Sequence, residues 1–426
     1  MWRKYGMAAI LVLICFSGCS GQVDKSVVTE RKEKIQEQAG ISEMEETEIT
    51  DEVAEDKSVL EKGYNLPVDS TVWNEEKNII VDILKKTEPL YRKCRPDAYG
   101  NIILTDKIAE KMLNVISEDG TPAYFKLYTG MWKWKQMDSF LKEIKKGNRS
   151  KISVCELHED GGISRETFHY DGSDLYVLYS NCIWNEEGEP ELTTISYNRI
   201  KRWDYTKKGW FLYELCVPEY PEVTEMVDGC CMFRVKRQKK KYLAFAEKYL
   251  IPIGYQGNNL FCSNWDEEHI QNIDYNALYE FLYQIEYKKQ LVLPENKEWM
   301  EKKEFEALIS SYLPVSHEQI RKYAVFDKKK KGYLWCRLGC FNYTLSFVYQ
   351  SIPEITEIRN CEDGSLELTV DAVCESLYDD KVFSHVVKIR VLEDGHIQFI
   401  GNRMKGKGYV SLPEYQYRLG KKKEDY

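Results

Sequence analysis

"KISVCELHEDGGISRETFHYDGSDLYVLYSN", residues 151–181, decides the fold. Apolar and polar side chains alternate in three runs, 151–158, 163–170 and 174–181, and the breaks between them are Asp160-Gly161 and Asp171-Gly172. A period of two is the repeat of a half-buried strand, and Asp-Gly supplies the backbone of a tight hairpin. Further runs at 191–197, 199–205 and 210–217, with breaks at Gly188 and Gly209, extend the pattern. Such spacing predicts an antiparallel meander rather than a parallel sheet.

Helical periodicity precedes this meander. Ile79, Ile80, Ile83 and Leu84 form one stripe that is expected to stop before Pro89, and Ile108, Met112, Val115 and Ile116 form another behind a Thr105 cap. A third runs through Trp134, Met137, Leu141 and Ile144. The second half repeats the order: Leu278, Phe281, Leu282 and Ile285 after Asp274, a helical stretch from Trp299 to Tyr312, and the capping box Ser316 to Gln319. Alternating runs follow at Phe341, Tyr343, Leu345, Phe347 and Tyr349, at Leu366 to Cys374, and at Phe383 to Val391, with hairpin signals at Asp363-Gly364 and Asp394-Gly395. The expected class is α+β, with two modules, 64–221 and 222–426, each made of helices followed by an antiparallel meander and joined near 218–221. The helices should cover one face of each sheet, and the Phe341 to Tyr349 face should be buried.

The N-terminus reads as a leader. Arg3 and Lys4 precede an apolar stretch from Met7 to Phe16, well short of the roughly 18 residues a bilayer span needs. In "ICFSGCSGQ", residues 14–22, Ser17-Gly18 supplies the small residues a signal peptidase accepts before Cys19. The stretch resembles a bacterial lipobox, with Phe16 where leucine is usual. Residues 1–18 are then a lipoprotein signal peptide and Cys19 is the lipidated first residue, held at the extracytoplasmic face of the cell membrane. Ordinary secretion with a cut after Gly21 is the alternative.

From Cys19 to Gly63 there is no aromatic residue and no proline, and thirteen acidic residues face six basic ones. Such a segment cannot bury enough apolar surface to offset ordering, so 19–63 reads as a flexible tether with a reach of roughly 35–40 Å. It holds most of the net charge of −9; residues 64–426 carry only −4, which argues against a nucleic-acid partner.

Searching the folded part for chemistry yields little. It contains eleven cysteines, an odd number; Cys230-Cys231 and Cys336-Cys340 lack the second pair or histidine run of a zinc site. Cys155 and His158 should point to opposite strand faces, and His385 shares an apolar face with Phe383, Val387 and Ile389, as a core histidine does. There is no His-Glu-x-x-His, no Gly-x-Ser-x-Gly and no phosphate or dinucleotide loop, so no catalytic residue, metal or cofactor is assigned. Asp379-Asp380 reads as a solvated turn. "MWKWK" at 131–135 and "NNLFCSNWDE" at 258–267 mix tryptophan with amides and charges as sugar-binding surfaces do, although core and turn roles fit them better. The runs "KRQKKKY" at 236–242 and "DKKKKG" at 327–332 read as a helix start and a loop tip.

"KYLIPIGYQGNNLFCSNWDE" at 248–267 and "ISSYLPVSHEQIRKYA" at 309–324, behind the lipobox and tether, resemble a family of uncharacterised lipoproteins from clostridia and related gut Firmicutes. The resemblance implies a surface lipoprotein with a domain of unknown function, and brings no activity with it. The expectation is a membrane-anchored protein that binds an envelope component or extracellular ligand such as a glycan. The alternative is a surface hydrolase acting on wall or dietary glycan through a carboxylate pair.

Overall fold

A computed structural model describes residues 60–419, apart from 98–99, 295–296, 340–341 and 407–411. The leader, Cys19 and nearly all of the tether lie outside the described residues. Helices α1 (Ser70–Tyr91) and α2 (Asp106–Ile116), strand β1 (Ala123–Tyr124) and helix α3 (Trp134–Lys145) precede the meander. Its strands are β2 (Ser150–Leu157), β3 (Ile163–Tyr170), β4 (Leu175–Trp184), β5 (Pro190–Tyr205), β6 (Trp210–Leu215) and β7 (Cys230–Arg234). The seven pair in sequence order, antiparallel except for β1 on β2. Gly161 and Gly172 take φ of 87° and 100° in the hairpins, where a side chain would strain the turn. Strand β7 closes the edge of this sheet although it follows residues 218–221.

Two details of this half differ from expectation. Helix α1 runs through Pro89 to Tyr91: a proline so near the end removes a single bond, and Tyr91 is held by stacking on Trp184 at 4.7 Å. The runs 191–197 and 199–205 are one strand, β5, whose register shifts between Ile200 and Arg202, because a bulge bends a strand without ending it.

Twist curls the sheet until the segment after β1 reaches β7. There Arg234 N donates to Leu127 O at 2.7 Å and Met131 N to Val235 O at 3.2 Å, while the Tyr124 and Phe233 rings stack 5.1 Å apart. The curl also overturns the expectation of helices on one face. Helices α1 and α2 cover the outer face, with Ile80, Leu84, Met112 and Ile116 on Cys155, Leu157, Ile163 and Cys182. Helix α3 plugs one end of the inner face, with Met137, Phe140, Leu141 and Ile144 against Val154, Phe168 and Val177. An inner face that wraps on itself needs such a plug, or its aromatic floor would meet water.

The second half holds α4 (Lys240–Phe245), which runs into a π-helical turn (Ala246–Leu250), then β8 (Trp265–Asp266), α5 (Tyr275–Tyr287), β9 (Trp299–Glu301), α6 (Lys302–Tyr312) and α7 (His317–Tyr323). After these come β10 (Phe326–Asp327), β11 (Gly332–Leu334), β12 (Ile352–Asn360), β13 (Leu366–Cys374), β14 (Asp379–Val391) and β15 (Ile397–Lys405). A five-stranded sheet in the order β12-β13-β14-β15-β8 lies apart from a small one of β10, β11 and β9. Helices α5 and α6 bring Leu278, Leu282, Phe305 and Ile309 into one core with Leu368, Val370, Phe383 and Phe399. The capping box at Ser316 and Gln319 is formed, and Asp274 caps α5.

Three expectations fail here. Trp299 to Glu301 is a strand because it pairs with Leu334 to Gly332, so the helix starts only at Lys302. Residues 342–346 are irregular and Phe347–Gln350 is a short 3-10 helix, with Phe341 outside the described residues. Alternation had no strand to pair with: Thr344 Oγ1 donates to Glu414 O and Tyr349 OH to Pro413 O, both at 2.8 Å, and Leu345 is 66% exposed. Lastly, Asp379 and Asp380 are not a solvated turn but open β14, where Asp380 O accepts a hydrogen bond from Lys208.

The halves meet where the outward side of β6 and β7 packs on β12 and β13. Trp210, Leu212, Met232 and Val373 form an apolar cluster there. Beside it, Glu354 accepts from Trp210 Nε1 at 2.6 Å and pairs with Arg234 at 2.8 Å, both charged side chains being about 93% buried. Lys208 reaches Asp371 at 3.2 Å. Removing one partner of a buried pair strands the other charge, so Glu354→Ala should cost about 3–5 kcal/mol. By contrast, exposed Leu345→Ala should stay within about 0.5 kcal/mol. Urea denaturation of both variants checks this, and equal losses would contradict the junction.

Candidate functional site

The end of the inner face opposite α3 carries acids instead of apolar groups. Strand β2 presents Ile152, Val154 and Glu156 on that face, and β3 presents Phe168, Glu166 and Ser164. Val154 pairs with Glu166 and Glu156 with Ser164, so the two glutamates are diagonal neighbours, about 7–8 Å apart at Cα. A third, Glu375, arrives from the β13–β14 turn of the other sheet and accepts from Met232 N on edge strand β7 at 2.9 Å. Tyr124, Tyr179, Tyr213 and Cys231 complete the surround.

Polar support is thin. Tyr213 OH donates to Glu166 Oε1 at 2.7 Å, and Ser164 Oγ reaches Glu156 Oε2 at 3.4 Å, with His158 Nε2 3.1 Å behind it. Glu166 Oε2 is shut from solvent and has no hydrogen-bond partner. Accordingly, burial pushes Glu156 up to about 7, with the Glu166 charge adding to it. Glu166 is likewise pushed to about 7 by burial, against the Tyr213 bond and helped by Glu375. Burial pushes Glu375 to about 7 as well, against its bond from Met232 N and with Asp228 and Glu156 adding. All three residues keep some exposure while their carboxyls are buried, which makes the place a recess rather than a sealed core.

A groove of about 530 Å³ lies on the outward side of β6 and β7, the face away from the recess. Ser376, next to Glu375, lines it, as do Asp228 and Cys230, and its rim carries the exposed side chains of Tyr220, Met226 and Phe347. Among the described residues four acids line it and no basic residue does. Glu214 and Glu219 are paired by Arg202 and Lys201, whereas Glu225 and Asp228 have no ion-pair partner among the described residues. The chain also enters the fold here: Lys62 and Tyr64 both bond Glu222, in the loop that walls the groove.

The stretches singled out in the sequence lie elsewhere. In "MWKWK", Trp132 is covered by the Arg237 guanidinium at 4.2 Å and bonds Asn114, and Trp134 packs on the core. Asn258, Asn259 and Trp265 are buried and spend their polar groups on local backbone. His385 is fully buried between Tyr255 and Asn402, and burial pushes it down to about 4. Lys240 begins α4, and Lys328 to Lys331 cap the β10–β11 hairpin. Cys230, Cys231 and Cys336 are free thiols, Cys340 is outside the described residues, and among those described no set of three acids, histidines or cysteines could hold a metal ion. Sequence reasoning missed Glu156 and Glu166, although each continues an apolar strand face at the same end of a hairpin.

A carboxyl raised in the fold keeps its proton to higher pH than in the unfolded chain, where glutamate titrates near about 4.3. The three glutamates therefore cost nothing below that pH, and destabilise increasingly as pH rises through about 7. Glu166→Gln should raise stability at pH 8, by up to about 3 kcal/mol, and change it little at pH 4. Denaturation at the two pH values measures this; the same change at both would contradict it.

No helix among the described residues is long and apolar enough to cross a membrane. No curated protein and no solved structure matches the chain. Residues 74–418 match the model of a family of unknown function, DUF6070, and the chain belongs to that family.

Proposed function

We propose that this chain is a lipid-anchored, extracytoplasmic binding protein made of two α+β modules, with its ligand held in the groove between them. The groove carries the reading: a concave surface with exposed aromatic and apolar side chains is fed by both halves, and a separate recess holds carboxyls that lack counter-charges among the described residues. The lipobox-like stretch and acidic tether supply the anchor. Because residues 62–64 dock on the loop walling the groove, the site would face the side from which the tether leaves.

A hydrolase is the second reading, favoured by the diagonal Glu156–Glu166 pair. Acid–base catalysis needs two carboxyls whose environments drive them apart, one protonated and one ionised. Here burial raises all three, and no cation among the described residues stands by to hold one of them ionised.

Two measurements test the proposal. Cys19→Ala should abolish metabolic lipid labelling and release the protein from membranes on washing; labelling that persists would refute the anchor. Met226→Asp, at an exposed rim position, should leave the melting temperature unchanged while removing the shift produced by whichever ligand stabilises the native chain. Retention of that shift would place binding elsewhere.

A further inference from the structure

We infer that the β13–β14 turn is a pH-operated latch: below neutral pH it holds Glu375 in the recess against the edge of β7, and above neutral pH it swings out and opens the recess to water. Geometry carries the inference. Two amides on the free edge of β7 are held by different acceptors: Arg234 N donates to a backbone carbonyl, Leu127 O, at 2.7 Å, whereas Met232 N donates to the Glu375 side chain at 2.9 Å. A carbonyl does not titrate, but a carboxyl gains charge as pH rises. Glu156 and Glu166 are fixed by the β2–β3 ladder, while Glu375 sits in the short turn between Cys374 and Asp379, so the turn yields first. At the far end of the turn Tyr378 OH donates to Leu212 O at 3.2 Å, and the Arg202 guanidinium lies 4.2 Å from the Tyr378 ring centre. Burial holds the Tyr378 phenol protonated, so neither contact changes near neutrality. The turn therefore pivots at Tyr378, and the Glu354–Arg234 pair stays in place.

The groups around Glu375 are Tyr124 on β1, Glu156 on β2 with His158 just after it, Glu166 on β3, Tyr179 on β4, Tyr213 on β6, Cys231 on β7 and Asp228 in the loop before β7. Among the described residues no lysine or arginine acts on the three carboxyls. Arg202 on β5 meets the turn only at Tyr378 and is paired with Glu214, and Lys208 is spent on Asp371 and Asp380. Ionisation thus sets like charges side by side, where Glu166 Oε2 already lacks a donor, and moving Glu375 into water relieves both the repulsion and the desolvation. Ser376 lines the groove on the outward side, so the swing also moves one of the groove's own residues. That consequence rests on the binding reading above; the latch itself does not.

The test is amide hydrogen exchange, read by NMR on the mature chain in detergent with methionine and arginine backbone nitrogens labelled. Corrected for intrinsic exchange, protection of the Met232 amide should fall about tenfold from pH 6 to pH 8, the change expected when one carboxyl held near 7 moves into water. The Arg234 amide, on the same edge, should keep its protection. Glu375→Gln retains the acceptor oxygen without the charge and should hold Met232 protected at both pH values, whereas Glu375→Ala should leave it open at both. Protection of Met232 that does not change with pH, a parallel fall at Arg234, or a fall that survives Glu375→Gln would overturn the latch. Met226→Asp, which tests the groove, should leave both amides as they are, so failure of the binding reading shows separately.

Discussion

One buried ion pair organises the molecule. Glu354 stands on β12 with its carboxylate out of water, and its partners Arg234, the Trp210 indole and, at 3.9 Å, Lys208 all come from the other half. Taking two charges out of water costs several kcal/mol each unless the geometry is good, so the pair punishes any displacement of one sheet against the other. Lys208 repeats the arrangement a few ångströms away, bridging Asp371 and the backbone of Asp380. Apolar packing of Trp210, Leu212, Met232 and Val373 supplies adhesion, while the charges supply register. Because β12 and β13 are fixed this way, the turn after Cys374 lands on the free edge of β7 and delivers Glu375 to Met232 N.

What separates the recess from the rest of the interior is the treatment of its acids. Buried Glu76 receives Arg165 and Ser180. Glu306 receives Arg321 and Tyr333, and these bonds hold its carboxyl low against burial. Both are ordinary structural carboxylates, neutralised at the cost of a cation. Glu156, Glu166 and Glu375 have no such cation, and they repel one another. A fold that neutralises Glu76 and Glu306 with cations holds three acids in tension at a single place. Tension of that kind accompanies binding and catalytic sites more often than it accompanies scaffold.

Much of the architecture was legible. Asp-Gly punctuation and period-two runs located the strands from 150 to 215, and the helical stripes located α1, α2, α3 and α5, because local chemistry decides both. Pairing partners decided the rest. Phe341 to Tyr349 alternates as well as any strand in the chain, yet no strand pairs with residues 342–349 among those described. Trp299 sits in a helical pattern and became a strand because β11 lies beside it. Glu156 and Glu166 went unread although they continue the apolar faces of Val154 and Phe168, because an acid at a strand end is ordinarily solvated. Glu375 left no local signal at all, since it reaches the recess from a distant part of the chain through the sheet junction.

The role of the recess depends on whether those carboxyls are desolvated and coupled in solution. Carboxyl-carbon NMR titration of the chain labelled at glutamate reads it directly. Three resonances, assigned through the Gln variants at 156, 166 and 375, should titrate near 7 with broadened, mutually dependent curves, far from the remaining glutamates. If all three instead titrate with the others near about 4.3, the recess is an open acidic surface and its role as a site falls.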